Sequence, residues 1–355
     1  MLFIVVNTII VMLILEIGLR VAVESPFPPR FFEANPVMGH YHIPDRSGWQ
    51  RTHEYDTYVK INAQGLRDRT YPYAKPAGVF RILILGDSFV EGFQVAQDAT
   101  FEARLEAQLN AGEAMSPIEV INGGVSRYGT DNALAFLEHE GLKYEPDLVI
   151  YVFYPNDVID NIEKKLFDLD SSGQLVQHRL DVAVTDQVRG ALYDVSYLYR
   201  LVLGTSIQLQ QSMDNTLIKT AWGRVLPIYR AELLPREADA WTLTGALLDR
   251  MQASTSAAGA EWVIVCLPEI FQSEDVLWAE VEQTSETLRR DAPNVDLAAR
   301  LPEGAYWLDL LPVFRAHAQN EALYYASDGH LNKAGHQLAA DEIQAYLIEQ
   351  ELIPR

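Results

Sequence analysis

The distribution of apolar and polar residues along the chain predicts short strands that alternate with amphipathic helices. From residue 80 onward, apolar runs of strand length are separated by stretches in which Leu, Ala and Ile recur at helical spacing. The predicted strands are Arg81–Leu85, Ile118–Ile121, Asp147–Phe153, Trp262–Leu267 and Tyr306–Leu308. The predicted helices are Phe101–Asn110, Asp131–Leu142, Ala240–Ala258, Val276–Arg290 and Lys333–Glu349. This alternation predicts an α/β fold with a central parallel sheet covered by helices on both faces.

A continuous apolar segment, residues 1–22, precedes this pattern and predicts a transmembrane helix or signal anchor. At about 1.5 Å per residue, such a helix spans roughly 30 Å, the thickness of a bilayer core. Glu16 and Arg20 lie four residues apart near its far end, where they can pair and reach the lipid headgroups. The alternative is a core helix at the start of a soluble domain. Arg20 lies near the end of the segment and Arg30 follows it, so the positive-inside rule read literally places the remaining chain in the cytoplasm.

The rest of the chain divides into a lead-in and one large domain. Residues 23–78 are proline-rich at first and then polar and aromatic, which predicts a linker that continues into irregular or β-rich structure. Residues 79–349 carry the alternating pattern. Within them, about 80 residues (158–239) separate the third predicted strand from the next helix, which is longer than an ordinary loop. This insertion is either a lid or substrate-binding wall or a structural appendage.

Composition narrows the classes of function. The formal net charge of −21 argues against nucleic acid as the main partner and is typical of a solvated acidic surface. The single cysteine, Cys266, lies in an apolar run and is predicted to be buried. One cysteine excludes an intrachain disulfide framework and a cysteine-based zinc site.

Four polar or glycine-rich segments carry candidate chemistry, and three of them directly follow predicted strands. Gly86-Asp87-Ser88 follows the first strand, Asn122–Thr130 follows the second, and Tyr154–Asp157 follows the third. The fourth, Ser327–Asn332, precedes the last helix. Active sites of parallel α/β sheets form at the carboxyl ends of the strands. We therefore expect these segments to converge on one cleft.

The residue types in these segments match the needs of nucleophilic acyl transfer. Ser88 supplies a hydroxyl after a tight turn, and the glycine-rich block offers backbone N–H groups to a developing oxyanion. Asn156 adds an amide donor, while His330 beside Asp328 suits a general base with an orienting carboxylate. Because residue 90 is valine, the segment is not the G-x-S-x-G elbow of α/β-hydrolases. The sequence contains no phosphate-binding loop or dinucleotide motif, and its histidines lack metal-ligand spacing, so we expect no cofactor and no metal.

The order of these blocks resembles the SGNH or GDSL-like hydrolase superfamily over roughly residues 79–348. The resemblance implies a flavodoxin-like three-layer α/β/α sandwich and ester hydrolysis or acyl transfer through a serine acyl-enzyme. Carried over to this chain, it implies Ser88 as nucleophile and oxyanion donor, Asn156 as oxyanion donor, His330 as base and Asp328 as its orienter.

Two positions depart from the family pattern. The oxyanion glycine of the second block falls on Arg127, if Asn122 begins the block, and Gly124 is the alternative. Arginine keeps a backbone N–H but places a long cationic side chain at the site. The family acid usually lies three residues before the histidine, where this chain has Ser327; Asp328 lies two before, as in alginate-acetylation relatives of the superfamily.

The sequence therefore predicts an acyl ester hydrolase that removes O-acyl, notably acetyl, groups from a carbohydrate or small ester. An O-acyltransferase that modifies an envelope or exported polysaccharide shares the same acyl-enzyme and is the alternative within catalysis. A non-catalytic carbohydrate-binding or assembly protein of the same fold is the alternative outside it. An N-terminal membrane helix ahead of such a domain resembles bacterial envelope members, which implies membrane attachment through residues 1–22 and a catalytic domain on the periplasmic side.

Overall fold

A computed structural model describes residues 1–22, 28–111, 116–213, 222–283 and 287–354 of the protein. The strands of the N-terminal region are β1 (Phe32–Asn35), β2 (Gly39–His42), β3 (Ser47–Arg51) and β4 (Asp56–Lys60). The strands of the central sheet are β5 (Phe80–Gly86), β6 (Ile118–Gly124), β7 (Leu148–Phe153), β10 (Glu261–Cys266) and β11 (Tyr306–Asp309). A hairpin between β7 and β10 consists of β8 (Phe167–Leu169) and β9 (Leu175–Gln177).

Helices connect and cover these strands. They are α1 (Leu2–Ala22), α2 (Ser88–Glu91), α3 (Phe101–Asn110), α4 (Thr130–His139), α5 (Asp157–Lys164), α6 (Val184–Val195), α7 (Tyr197–Met213), α8 (Pro235–Ala257), α9 (Ile270–Ser273), α10 (Asp275–Val281), α11 (Ala292–Ala298), α12 (Leu311–Ala318) and α13 (Lys333–Glu349). Short 3₁₀ turns lie at Gln97–Ala99, Gly141–Tyr144 and Leu226–Tyr229.

The central sheet has the strand order β6–β5–β7–β10–β11, and all of its pairings are parallel. This is the flavodoxin-like order, in which chain connections leave the β5–β7 boundary in opposite directions. Right-handed crossovers then place α3 on one face and α4 and α8 on the other. The predicted α/β class and parallel sheet are confirmed, and the ligand-binding crevice of such a sheet is expected beyond β5 and β7.

The core forms because the central strands are apolar on both faces. Residues 82–85 of β5 are fully buried, as are the neighbouring residues of β7 and β10. Burying each such Leu, Ile or Val side chain contributes about 1.5–3 kcal/mol. Cys266, as expected, is buried at the end of β10. The densely packed strands hold their carboxyl ends at a fixed edge of the sheet.

The structure corrects some predicted element boundaries. The helix predicted over Val276–Arg290 is wrong in its second half, because α10 ends at Val281 and Leu288 forms an antiparallel β-bridge with Arg230 (residues 284–286 lie outside the described part). The helix predicted to reach Leu142 ends at His139 and continues as a 3₁₀ turn.

The described residues of the lead-in segment fold against the α/β domain. Its hairpins β1–β2 and β3–β4 pack over the carboxyl edge of the sheet, where His40 and Tyr55 contact loops that follow β6 and precede α13. Helix α6, which lies between α5 and α8 in the chain, contacts the lead-in segment. Arg30 and Arg46 both form ion pairs with Asp194 of α6, at 3.0 and 3.3 Å.

Helix α1 is one continuous apolar helix whose side chains are mostly exposed. Within the described residues, it is the one helix long and apolar enough to cross a membrane. Its far end contacts the start of α7, where Glu16 accepts hydrogen bonds from the backbone N–H groups of Tyr197 and Leu198 at 2.9 and 3.0 Å.

Candidate active site

Ser88 begins the one-turn helix α2 directly after β5. Asp87 caps this helix by accepting a hydrogen bond from the backbone N–H of Phe89 at 2.9 Å. Gly86 is required at the strand end, since a Cβ there would lie 2.5 Å from Cγ2 of Val90 and 3.0 Å from the carbonyl oxygen of Val152. The tight packing beneath the turn directs the Ser88 side chain towards the cleft.

His330 reaches Ser88 from the loop that precedes α13. The Ser88 Oγ and the His330 Nε2 are 2.7 Å apart, and the His330 Nδ1 and the Asp328 Oδ1 are 2.6 Å apart. Gly329 between the acid and the histidine has a φ of 83°, a left-handed conformation that glycine adopts without strain. Asn332 caps α13 by accepting from the N–H groups of Ala334 and Gly335. The two-residue spacing thus brings Asp328 into contact with the imidazole.

The charges of this pair stabilise each other. Burial alone would lower the pKa of His330, but the hydrogen bond and negative charge of Asp328 outweigh it and raise that pKa above the ordinary value. Burial likewise opposes ionisation of Asp328, yet the hydrogen bonds from His330 and Tyr55 hold its pKa below the ordinary range. Asp328 therefore remains a carboxylate, and the imidazole is a stronger base than a free histidine.

The lead-in segment supplies contacts to this acid that sequence reasoning missed. The Tyr55 hydroxyl donates to Asp328 Oδ2 at 3.1 Å. The Glu54 carboxylate accepts from the N–H groups of Ser327 and Asp328 at 2.9 and 2.8 Å. His53 adds a 3.1 Å contact between its Nε2 and the Ser327 Oγ. The sequence signal for these contacts is the polar and aromatic character of residues 23–78. That character does not indicate which of these residues contacts Asp328.

Arg127 and Asn156 border Ser88 from the loops after β6 and β7. Both line, together with Ser88, a cavity of about 440 Å³. Arg127 has a φ of 67°, the left-handed conformation that glycine favours, and its N–H has no acceptor among the described residues. The N–H of Gly124, in contrast, donates to the Asn122 side chain at 2.9 Å. This geometry favours Arg127 over Gly124 as the donor from this loop.

Gly124 has a packing role beneath the turn that carries Ser88. A Cβ at this position would lie 2.4 Å from the backbone nitrogen of Glu91 and 2.7 Å from the backbone carbon of Val90. Only a residue without a side chain allows β6 and α2 to approach this closely. Gly124 thereby sets the distance between the Ser88 turn and the loop that carries Arg127.

A buried polar network links these two elements to β2. The Nε2 of His42 lies 2.5 Å from the Glu91 Oε1, and both side chains are fully buried. The second carboxylate oxygen of Glu91 accepts from the Ser126 hydroxyl. His40 Nε2–H donates to the Ser126 carbonyl oxygen at 2.7 Å. Ser126, the residue before Arg127, is therefore held through its hydroxyl and its carbonyl.

The cleft beside the imidazole has a volume of about 260 Å³. Its lining includes Ser88, Asn156 and His330 and, from the insertion, Trp222 and Val225. Glu269 also lines it, with burial raising the pKa of its carboxyl to about 7. A cleft of this size holds a small acyl group and part of its alcohol. Among the described residues, no cluster of three or more His, Cys, Asp or Glu side chains could hold a metal ion.

Comparison with known proteins identifies the family. The GDSL-like lipase/acylhydrolase family matches residues 84–338, more than half of the chain. The protein belongs to this family and is a hydrolase of the SGNH type that acts on ester bonds. No curated protein matches the sequence.

Solved structures of low sequence identity are similar to this chain. LAE5, an α/β hydrolase enzyme from the metagenome of Lake Arreo, Spain, is 16% identical, with 77% of this chain and 96% of that chain covered at a TM-score of 0.42. A catalytic mutant of Axe2, an acetylxylan esterase from Geobacillus stearothermophilus, is 12% identical, with 76% and 94% covered at 0.42. TesA is 12% identical, with 75% and 97% covered at 0.41.

Proposed function

We propose that this protein removes O-acyl groups, notably acetyl groups, from carbohydrate-linked or small esters through an acyl-enzyme on Ser88. The observation that carries the proposal is the pair of short contacts, 2.7 Å from Ser88 Oγ to His330 Nε2 and 2.6 Å from His330 Nδ1 to Asp328 Oδ1. A nucleophile, a base and an orienting carboxylate in this arrangement form the group that activates a serine hydroxyl.

In the proposed mechanism, His330 takes the proton of Ser88 as the oxygen attacks the acyl carbonyl. The backbone N–H groups of Ser88 and Arg127 and the amide of Asn156 then stabilise the oxyanion. Each such donor is typically worth about 2.7–4 kcal/mol of barrier. His330 returns the proton to the leaving alcohol, and it then activates a water molecule that releases the carboxylic acid and restores Ser88.

Serine replacement tests this mechanism. Ser88→Ala and His330→Ala should keep the circular dichroism of the folded protein and lower p-nitrophenyl acetate turnover by at least about 10³-fold. Ser172→Ala, in an exposed turn between β8 and β9, should change neither. Labelling of Ser88 by a fluorophosphonate would separate a catalytic protein from a binding protein of the same fold. Turnover that survives in either catalytic variant would refute the mechanism.

An O-acyltransferase is the second candidate, because a cavity of about 810 Å³ adjoins the cavity of about 440 Å³ that Ser88 lines. The larger cavity is lined in part by Phe32, Arg127 and Tyr193, and it is large enough to hold a sugar acceptor beside the acyl-enzyme. Hydrolysis and transfer differ only in which hydroxyl resolves the acyl-enzyme. Comparing free acetate with acetylated sugar in the presence of an acceptor distinguishes the two.

We also propose that α1 attaches the protein to a membrane, with the catalytic domain outside the cytoplasm. Its apolar side chains are about half or more exposed along most of its length, and such a surface requires cover. Its 21 residues reach roughly 30 Å, which matches a bilayer core. The full chain should sediment with membranes after a salt wash, and a chain lacking residues 1–22 should not. Alkaline phosphatase fused to the C-terminus should be active if the catalytic domain lies outside the cytoplasm, and an inactive fusion would contradict that placement. The intact mass of the purified protein would show whether residues 1–22 are cleaved off.

A further inference from the structure

Three cationic side chains line the cavity that contains Ser88, and two of them form ion pairs with carboxylates. The cavity of about 440 Å³ that contains Ser88 is lined by Asp87, Arg127, Asn156, Asp160, Glu163, Lys164 and Arg224. Lys164 lies 3.4 Å from Asp160. Arg224 donates to both Asp160 and Glu163, the latter at 2.9 Å. The charges of Lys164 and Arg224 are thus already engaged by carboxylates on α5.

Arg127 is the remaining cation of this cavity. Its side chain is exposed, and its guanidinium forms no ion pair or hydrogen bond with any described residue. Its backbone is nevertheless fixed, since Lys164 donates to the Arg127 carbonyl oxygen and the Ser126 hydroxyl donates to Glu91. Because the backbone of Arg127 is fixed and its guanidinium has no partner among the described residues, the side chain is available to bind a ligand.

The charge of Arg127 is opposite to the net charge of the chain. The chain carries 49 acidic and 28 basic residues, so an anion approaching most of the surface is repelled. A guanidinium beside Ser88 that has no carboxylate partner among the described residues favours an anion there. The guanidinium also presents paired N–H donors that match carboxylate or phosphate oxygens in bidentate geometry.

The cavity of about 810 Å³ extends the site beyond Arg127. Arg127 and Lys164 line both this cavity and the one that contains Ser88, so the two adjoin. The cavity of about 810 Å³ is also lined by residues of the lead-in segment and of α6 and α7. These include the aromatic side chains of Phe31 and Tyr199. A ligand that passes from Ser88 along this groove passes Arg127 on its way.

We infer that Arg127 binds an anionic group, a carboxylate or a phosphate, which the substrate carries close to its acyl ester. This inference rests on the proposed function and specifies its substrate class as acidic O-acyl esters, such as an acylated uronic acid or a sugar phosphate. The same residue then has two separate roles. Its backbone N–H faces the oxyanion, and its side chain selects the charge of the alcohol.

Binding tests the inference independently of turnover. The binding experiment uses the full-length chain with Ser88→Ala in detergent. Measured by calorimetry, tetragalacturonate should bind at least about tenfold more tightly than its uncharged methyl-esterified form. For a phosphate group, the same experiment compares the affinity for glucose 6-phosphate with the affinity for glucose. Adding Arg127→Gly, which retains the N–H and suits the left-handed φ, should remove the preference. Adding Arg127→Lys should retain most of it, and Arg250→Gln, in an exposed ion pair with Glu138, should leave it unchanged.

The preference should also shrink as ionic strength rises, because salt screens exposed charges. Charged and uncharged probes binding equally, or a preference that survives in Arg127→Gly, would overturn the inference. A preference for the charged probe in only one of the two pairs supports the inference and identifies the anion as a carboxylate or a phosphate. The proposed function is assessed separately by turnover of p-nitrophenyl acetate with Ser88 intact, so loss of turnover with retained charge preference would count against catalysis and not against the anion site.

Discussion

The Tyr55 hydroxyl donates a hydrogen bond to Asp328 across 273 positions of sequence, with the two oxygens 3.1 Å apart. Burial and the neighbouring carboxylate both raise the pKa of Tyr55, so its hydroxyl remains a donor. The contact holds the oxygen of Asp328 that does not face His330. A residue outside the span that matches the family thus restrains the acid of the proposed triad.

Tyr55→Phe should therefore weaken catalysis while leaving the fold intact. Without this donor the carboxylate is less well oriented, and we expect kcat/KM for p-nitrophenyl acetate to fall about tenfold, the usual worth of a hydrogen bond to a charged group. Tyr58→Phe is the matched control, because Tyr58 is half exposed and its hydroxyl contacts only Ser47 in the described part. Equal activity of the two variants would show that Tyr55 does not support the acid.

The residues at the sheet edge could be predicted from sequence, because their positions follow from the strands. Ser88 follows β5 and Asn156 follows β7, and parallel neighbouring strands bring their carboxyl ends together. The roles of Tyr55 and Glu54 could not be predicted in this way. Their contacts depend on how two short hairpins fold back over the sheet, and no periodicity in residues 23–78 encodes that placement.

The error in α10 has a similar cause. Helical spacing continues past Val281, but a tertiary contact overrides local preference where Leu288 pairs with Arg230. The positive φ of Arg127 could not be predicted from the sequence either, since arginine has no preference for that conformation.

The pH dependence of Asp328→Asn tests the electrostatics of the triad. His330 must be neutral to act as a base, so activity is lost as the pH falls through its pKa, which Asp328 raises. Removing the negative charge leaves burial as the main influence, so the acidic limb of the kcat/KM profile should move to lower pH. The rate should also fall by about 10³–10⁴-fold, because the imidazole loses its orienting partner. Asp98→Asn, on an exposed turn, should leave the profile unchanged. An acidic limb that stays in place or moves to higher pH would contradict this account.

Gly124→Ala should disrupt the nucleophile's turn. The new methyl group would lie 2.4 Å from the Glu91 nitrogen, and backbone on both sides must move to admit it. We expect a lower thermal midpoint together with a large loss of activity. Gly223→Ala is the control, because a Cβ there meets nothing within 4 Å and its φ is not positive. If both alanines are tolerated equally, close packing at Gly124 is not required.

The buried contact between His42 and Glu91 should contribute to both stability and activity. His42→Ala leaves the Glu91 Oε1 buried without its hydrogen-bond partner, with the Ser126 hydroxyl as the remaining side-chain partner of Glu91, and a buried polar atom left unsatisfied costs about 1–3 kcal/mol. The thermal midpoint should fall by several degrees. His178→Ala should cost little, because His178 and Asp168 form an exposed pair.

Adding Glu91→Gln to His42→Ala distinguishes this buried pair from a simple packing defect. The double variant removes the buried carboxylate as well as its partner, so it should recover part of the stability that His42→Ala loses. Because Glu91 also holds Ser126 next to Arg127, activity measured well below the unfolding temperature should remain reduced in both variants. Strictly additive losses of stability would show that His42 and Glu91 act independently, and full activity in the double variant would show that the network does not position the loop beside Ser88.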